Sequence, residues 1–271
     1  MEVYTPVNFR RRNTEEIERA VNYALQVGKN YISQISALPD GLEGRSVLEV
    51  GPGSDFGPAL LLASSGAKVS IIDRFVAEWQ EDYHRPLYTA LRNRWSGDPA
   101  PFDAVLNANG YGDIITVFSC ALEDLAEDRK FDVIISNAVL EHMRDIEQAV
   151  ESMARITQYC GWGLHQIDFR DHRNFSKPLE YLLYTDEEFE KELGPVLGEC
   201  GQPYRTSELE ALFLKHGFEI DCRNINMIAD ESYLADFLPR LRASASRYRN
   251  WQIEDLRNIS AFYRIKRQDT R

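Results

Sequence analysis

Glycine-rich residues 51–57, Gly-Pro-Gly-Ser-Asp-Phe-Gly, carry the clearest chemical signal in the chain. They follow an apolar run at 46–50 and precede another that begins with Pro58. Glycines between a strand and a helix let the backbone approach a ligand closely. A dinucleotide fingerprint requires glycine at position 56, where Phe56 stands, and no lysine of a phosphate-binding loop follows. The segment therefore predicts a cofactor other than a nicotinamide dinucleotide or a nucleoside triphosphate.

Polar residues lie within or just after the strands predicted around this segment. Glu49 lies inside the first strand, Asp73 and Arg74 follow the second, Glu123 follows the third and Asn137 follows the fourth. A carboxylate at the end of strand two can accept hydrogen bonds from a ligand, each worth about 1.5–3 kcal/mol when charge-assisted. Asp73 could instead be a simple turn residue, and Glu123 a solvated residue at a helix start.

Two histidines could supply a general base. His142 follows the fourth predicted strand by six residues, and His165 lies in the fifth. A neutral imidazole can take the proton of a reacting hydroxyl group. His142 could instead be a helix-start residue bonded to backbone, and His165 a core histidine with satisfied hydrogen bonds. His165 also falls in a group with Asp168, Asp171 and His172, but their spacing matches no tetrahedral zinc pattern, so we expect no metal.

Alternating strands and helices position these residues. Apolar runs predict strands at 46–50, 68–72, 114–118, 131–136, 164–169, 218–226 and 259–266. Helical periodicity and capping signals predict helices at 13–37, 58–64, 77–95, 145–159, 186–193, 207–216 and within 230–251, with a turn at 160–163. Residues 96–112 and 171–203 are predicted insertions, the first of them loop-rich. This order predicts a doubly wound α/β sheet.

Four features in order resemble class I S-adenosylmethionine-dependent methyltransferases. Residues 47–57 (Val-Leu-Glu-Val-Gly-Pro-Gly-Ser-Asp-Phe-Gly) resemble motif I, and Asp73 matches the acidic ribose-binding position. Residues 123–125 (Glu-Asp-Leu) resemble the acidic segment that faces the adenine, and residues 131–142 resemble the strand-four motif of the methyltransferase-11-like branch. The chain departs from the pattern at Asp55, where motif I often has a third glycine, and lacks the Lys-Pro pair before strand five.

The resemblance implies a Rossmann-like class I methyltransferase fold. Its sheet would have seven strands, mostly parallel with the last antiparallel, and helical insertions would form a lid over the acceptor. One methyltransferase domain would span 1–271, divided into an N-terminal helical segment (1–44), a cofactor-binding core (45–170) and an insertion with the C-terminal strands (171–271). The implied cofactor is S-adenosylmethionine, and the implied cofactor-binding residues are Glu49, Gly51, Gly53, Asp73, Arg74, Glu123 and Asn137.

The implied reaction is in-line transfer of a methyl group. We expect the acceptor to be an oxygen of a small hydroxylated or carbohydrate-like metabolite, with His142 and His165 as catalytic residues because of their positions near the strand ends. Two alternatives stay open: a catalytically silent S-adenosylmethionine-binding subunit that regulates a partner, and a nitrogen or carbon methyltransferase of a natural-product pathway. Residues 136–139 (Ser-Asn-Ala-Val) differ from the Asn/Asp-Pro-Pro-aromatic motif of enzymes that methylate nucleobase amino groups, so we expect no nucleic-acid acceptor.

Composition and charge limit the partners. The 271 residues carry a net charge of −12, which argues against general nucleic-acid binding. Basic residues nevertheless crowd residues 240–271, either as a solvated surface or as a contact for an anionic acceptor. No signal peptide, membrane-spanning run or Cys-x-x-Cys pair is apparent. We expect a cytoplasmic enzyme without a membrane partner, and a homodimer is compatible with the sequence.

Overall fold

The computed structural model describes residues 12–268 of the chain. Within this range, seven strands form one sheet. They are β1 (Ser46–Val50), β2 (Lys68–Ile72), β3 (Ile115–Phe118), β4 (Phe131–Asn137), β5 (Thr157–Asp168), β6 (Phe218–Ile228) and β7 (Asn258–Arg267). Their order is β3-β2-β1-β4-β5-β7-β6. β1 pairs in parallel with β2 and β4, β2 pairs in parallel with β3, and β6 and β7 are antiparallel. The predicted Rossmann-like sheet is confirmed.

Ten α-helices lie among the same residues: α1 (Thr14–Ser36), α2 (Gly57–Ala63), α3 (Glu81–Arg94), α4 (Ala100–Ala108), α5 (Ile146–Ile156), α6 (Asp186–Glu192), α7 (Leu197–Cys200), α8 (Thr206–Lys215), α9 (Glu231–Ala243) and α10 (Ile253–Leu256). None of them is long and apolar enough to cross a bilayer. The prediction that 96–112 is loop-rich was wrong for its central part, where α4 buries Phe102 and Val105, three positions apart on one helical face.

The fifth strand is longer than the sequence predicted. β5 begins at Thr157, so the turn predicted at 160–163 lies inside the strand, and α5 ends three residues before the predicted boundary at 159. Cys160 has a φ of +59°, an irregularity within the strand. A Cβ at Gly161 would come within 3.0 Å of the Asp132 carbonyl oxygen. Gly161 therefore reflects a close backbone approach rather than a turn.

The chain divides into two structural units. One runs up to Asn137 and takes in Arg155–Leu164, and the other consists of Ala138–Ala154 with the residues from His165 onward. The first unit holds β1 to β4 and α1 to α4, and the second holds β6, β7 and α6 to α10. The division of 1–271 predicted from the sequence stays a prediction.

α1 packs closely on α2, and this packing fixes the position of the glycine-rich segment at the start of α2. The predicted capping box of α1 is present, with Asn13 and Glu16 bonded to each other's backbone N–H groups. A Cβ at Gly57 would lie 2.6 Å from that of Ala24, so only glycine at the start of α2 permits this contact. On the same helix, the Tyr31 hydroxyl donates to the Ser136 carbonyl at 2.6 Å, which ties α1 to the end of β4.

In the second unit, a buried arginine organises the insertion. Arg205 is fully buried, and its guanidinium donates to the carbonyls of Phe169, Leu256 and Asn258 and to the Tyr181 hydroxyl. Its charge is thus surrounded by acceptors, as a buried cation requires. Tyr181 and Tyr248 are 1% and 2% exposed and belong to the hydrophobic core of this unit rather than to an open acceptor pocket.

Candidate cofactor and acceptor sites

The glycine turn and Asp73 lie at one edge of the first unit, where the strand order reverses between β1 and β4. The Gly51 N–H donates to the Ile72 carbonyl at 2.9 Å, which places the start of the turn beside the end of β2. Gly51 and Gly53 have φ values of +66° and +77°, which favour glycine. In open α/β sheets, ligands bind at the carboxyl ends of the strands at such a reversal.

Asp55, the departure from motif I, closes the turn through its side chain. One carboxylate oxygen accepts from the Gly57 N–H at 3.1 Å, and the other accepts from the Tyr83 hydroxyl at 2.7 Å. Phe56 is fully buried, and its N–H donates to the Tyr88 hydroxyl at 3.1 Å. The turn is therefore held from α3, by residues that the sequence analysis did not connect with the cofactor.

Glu49 is a buried acid with an unsatisfied oxygen. Its side chain lies in β1 and is 5% exposed, and Oε2 has no hydrogen-bond partner among the described residues. Burial, and secondarily the charge of Asp55, raise the pKa of Glu49 to about 8. A ligand cation would favour the ionised carboxylate, so Glu49 has the chemistry to receive an ammonium group.

The remaining predicted cofactor residues already have partners. The Asp73 carboxylate accepts from the Phe75 N–H at 2.8 Å, and burial outweighs this bond and raises the pKa of Asp73. The Arg74 guanidinium lies 3.4 Å from a Glu123 carboxylate oxygen, which links the chain after β2 to the chain after β3. The side-chain amide of Asn137, the last residue of β4, donates to the Tyr23 hydroxyl at 2.5 Å. All the predicted cofactor-binding residues thus belong to the first unit.

The two predicted catalytic histidines belong to the second unit and differ in exposure. His165 is 1% exposed, its ring stacks on Phe213 with centroids 6.1 Å apart, and burial lowers its pKa to about 3. His142 is half-buried in a 3-10 turn, Leu140–His142, that follows β4. Burial, together with the neighbouring His172, lowers the pKa of His142, so this imidazole is neutral at pH 7.

A small polar cluster surrounds His142. The rings of His142 and His172 meet edge to face at 4.9 Å, and His172 Nε2 lies 3.4 Å from an Asp168 carboxylate oxygen. Burial opposes ionisation of Asp168, but the hydrogen-bonded guanidinium of Arg170 and the nearby His172 ring outweigh it and lower the pKa of Asp168 to about 2. The cluster therefore contains the neutral imidazole of His142 and the ionised carboxylate of Asp168, with the His172 ring in contact with both.

Glu141, His142 and His172 each bring one possible metal-ligand atom within 4.8 Å of the others. This set differs from the group that the sequence spacing brought forward. Glu141 is 2% exposed, and burial raises its pKa to about 8, so its carboxyl group holds a proton at pH 7. Metal ligation requires the deprotonated form, so a cation bound by Glu141 would have to displace this proton. The absence of a metal stays a prediction.

Several arginines of the basic C-terminal segment are paired within their own unit. Up to Gln268, where the described residues end, several arginines contact carboxylates: Arg240 lies 2.7 Å from Glu180, Arg247 lies 3.1 Å from Glu208 and Arg264 lies 2.5 Å from Asp221. The Arg242 guanidinium donates to the backbone carbonyls of Arg249 and Trp251. These contacts argue for a structural role and against an open anion site.

Comparisons with known proteins agree with the fold. The model of a methyltransferase-domain family matches residues 10–223. The solved magnesium protoporphyrin IX methyltransferase of Synechocystis PCC 6803, with bound S-adenosylhomocysteine, is 15% identical; the match covers 96% of this chain and 89% of that one, with a TM-score of 0.51. A methyltransferase in complex with the Trm112 methyltransferase activator of Haloferax volcanii is 12% identical, with 94% and 95% coverage and a TM-score of 0.50. No protein of curated function matches the sequence significantly.

The solved structures share the fold at identities too low to show more than that. The family model extends over most of the chain, from the start of α1 to within β6. The chain therefore belongs to the methyltransferase-domain family, and it is an S-adenosylmethionine-dependent methyltransferase.

Proposed function

We propose that the enzyme transfers the methyl group of S-adenosylmethionine to a hydroxyl oxygen of a small, carbohydrate-like metabolite. The observation that carries the proposal is the neutral, half-buried imidazole of His142 in the chain segment that leaves the end of β4. A hydroxyl acceptor has a pKa far above 7, so its methylation benefits from a base, whereas the sulfonium supplies the leaving group unaided.

The cofactor is assigned to the edge of the first unit. Gly51 and Gly53 give the backbone approach, and the Asp73 carboxylate accepts the two ribose hydroxyls. Glu49, whose Oε2 is unsatisfied, receives the methionyl ammonium group. Glu123, fixed by Arg74, lies beside the adenine, and Asn137 borders the site at the end of β4. The buried acids suit a ligand with two cationic groups.

On the acceptor side, His142 is the proposed base and His165 the second proposed catalytic residue. The 1% exposure of His165 supports an indirect contribution, through the position of β5, more than contact with the acceptor. The ion pairs that Arg240 and Arg247 make with carboxylates favour an uncharged polyol over an anionic metabolite. Helices of the 171–271 region are proposed to cover the acceptor. A cytoplasmic location, the absence of nucleic-acid and membrane partners, and a homodimer complete the proposal.

Methyl transfer to a panel of small acceptors tests this function. The full chain is incubated with methyl-labelled S-adenosylmethionine and with monosaccharides, phenols and amines in parallel. We expect label in a hydroxylated acceptor, as an ether that survives acid and base. Label on nitrogen or carbon would support the alternative methyltransferase. Tight cofactor binding without transfer to any acceptor would support the silent subunit.

Chelation is expected to leave turnover unchanged. A cation held by the Glu141–His142–His172 set would have to displace the proton of the buried Glu141 carboxyl group, and we expect the in-line methyl transfer to need no such cation. The measurement is the rate of labelled methyl transfer before and after dialysis against EDTA. Loss of turnover, with recovery on adding magnesium or zinc, would contradict the prediction.

A further inference from the structure

His84 joins the helix α3 to the proposed cofactor turn. Its ring is 1% exposed and makes two hydrogen bonds. Nδ1 lies 2.8 Å from the Gln80 N–H, which can only donate, so Nδ1 is the acceptor. Nε2 lies 3.0 Å from the Ser54 carbonyl oxygen, which can only accept, so Nε2 carries the hydrogen. A single neutral tautomer satisfies both contacts.

Aromatic rings enclose His84 and keep water away from these bonds. Its ring stacks on Trp79 and Tyr88 at centroid distances of 5.4 and 5.7 Å, and the rings of Tyr83 and Tyr111 lie at 4.9 and 6.3 Å. Within this shell the bond to Ser54 cannot be exchanged for a water contact without opening the cluster. The carbonyl of Ser54 is therefore held in one orientation from α3.

We propose that neutral His84 is a positioning residue that holds the cofactor turn through Ser54, so that its protonation weakens binding of S-adenosylmethionine. The inference rests on the proposed assignment of residues 51–57 to the cofactor. A second proton on the ring would place an N–H at Nδ1, opposite the Gln80 N–H. Two donors would then face each other, and the ring would leave the position in which it reaches Ser54.

The groups around His84 favour the neutral form on balance. The charged and titratable groups that face it are Asp55 in the turn, Arg12 before α1, the phenols of Tyr83 and Tyr88 on α3, and Tyr111 after α4. Burial lowers the pKa of His84, and the Arg12 charge adds to this, while the Ser54 bond and Asp55 oppose it. Binding should therefore be full at neutral pH and decline as the pH falls below the usual histidine range.

Two variants separate the turn contact from the titration. His84→Gln keeps an amide N–H that can reach the Ser54 carbonyl but cannot gain a proton in this range. His84→Phe keeps the aromatic packing and removes both hydrogen bonds. The affinity for S-adenosylhomocysteine is measured by calorimetry between about pH 8 and about pH 5 for the full chain and both variants. Glu49 and Asp73 are present in all three proteins, so their own titration cancels in the comparison.

We expect the wild-type dissociation constant to rise about tenfold more than that of His84→Gln on acidification, and His84→Phe to bind about tenfold more weakly at pH 8. Equal pH profiles for wild type and His84→Gln, or wild-type affinity for His84→Phe, would overturn the inference. A far-UV circular dichroism spectrum confirms that each variant is folded. Where those results overturn the inference, Asp73→Ala in the same assay shows how far the failure extends. Normal binding by Asp73→Ala would overturn the proposed cofactor site as well, whereas weak binding would leave that site standing and overturn only the role of His84.

Discussion

Asp73→Ala is expected to weaken binding of S-adenosylhomocysteine by about tenfold or more, because one charge-assisted hydrogen bond is worth about 1.5–3 kcal/mol. Asp73 follows β2 beside Gly51, and its carboxylate is half-buried with a single backbone donor, the Phe75 N–H. Acceptor capacity is therefore left for both ribose hydroxyls. Burial without a positive partner raises the pKa of Asp73, so affinity should also fall in acid, where the carboxylate gains a proton. Calorimetric titration measures both effects.

Matched variants separate charge from shape. Asp73→Asn keeps an oxygen for the Phe75 N–H but loses the charge, so it should bind with intermediate affinity. Asp128→Ala removes an exposed acid of the same unit, in the loop before β4, and should bind like the wild type. Wild-type affinity in Asp73→Ala would contradict the proposed contact between the ribose hydroxyls and the Asp73 carboxylate.

His142→Ala is expected to lower kcat by about 100-fold or more while the affinity for the cofactor changes less than about threefold, since a general base contributes about 10²–10⁴ in rate. The acceptor is the one found with labelled S-adenosylmethionine. The environment of His142 sets the pH profile: burial and His172 lower its pKa, so it stays neutral below the ordinary histidine range. Turnover should persist to below about pH 6.5 and fall only in more acidic solution, where the imidazole gains a proton.

His216→Ala is the control for His142. His216 is also half-buried in the second unit, where Nε2 lies 3.5 Å from Glu147, and its removal should leave kcat unchanged. His165→Gln tests the second proposed catalytic residue. A loss of kcat in that variant alone would identify His165, in β5, as the base. Near-normal turnover in both His142→Ala and His165→Gln would mean that proximity alone, or a carboxylate such as Asp168, carries the reaction.

The first βαβ unit was predictable because its signals are local. The apolar run at β1, the glycines with positive φ and the acid after β2 lie within 30 residues, and each has a direct physical reason for its position. The same holds for the capping box that begins α1, which needed no knowledge of distant contacts. The antiparallel final strand, by contrast, was expected only from the resemblance to class I methyltransferases.

The support of the turn could not be predicted in the same way. Tyr83 and His84 lie about 30 residues after the glycines, on the face of α3 that also buries Leu87, Tyr88 and Leu91. Only the packing of α3 shows that Tyr83 bonds to Asp55 and His84 to Ser54. The one available signal was Asp55 itself, since a carboxylate in place of a glycine needs donors.

The surroundings of His142 also depend on tertiary packing. His172 follows His142 by thirty residues, and the predicted boundary of β5 gave no indication that the two rings meet. Gly161 misled the strand prediction, because a glycine required for backbone approach has the same sequence signature as one required for a turn.

A crystal of the full chain grown with S-adenosylhomocysteine tests the central claim most directly. The prediction is one ligand molecule at the glycine turn, with both ribose hydroxyls on the Asp73 carboxylate, the ammonium group near Glu49 and the adenine beside Glu123. A ligand bound elsewhere, or bound at the turn with its ribose hydroxyls away from Asp73, would contradict the assignment.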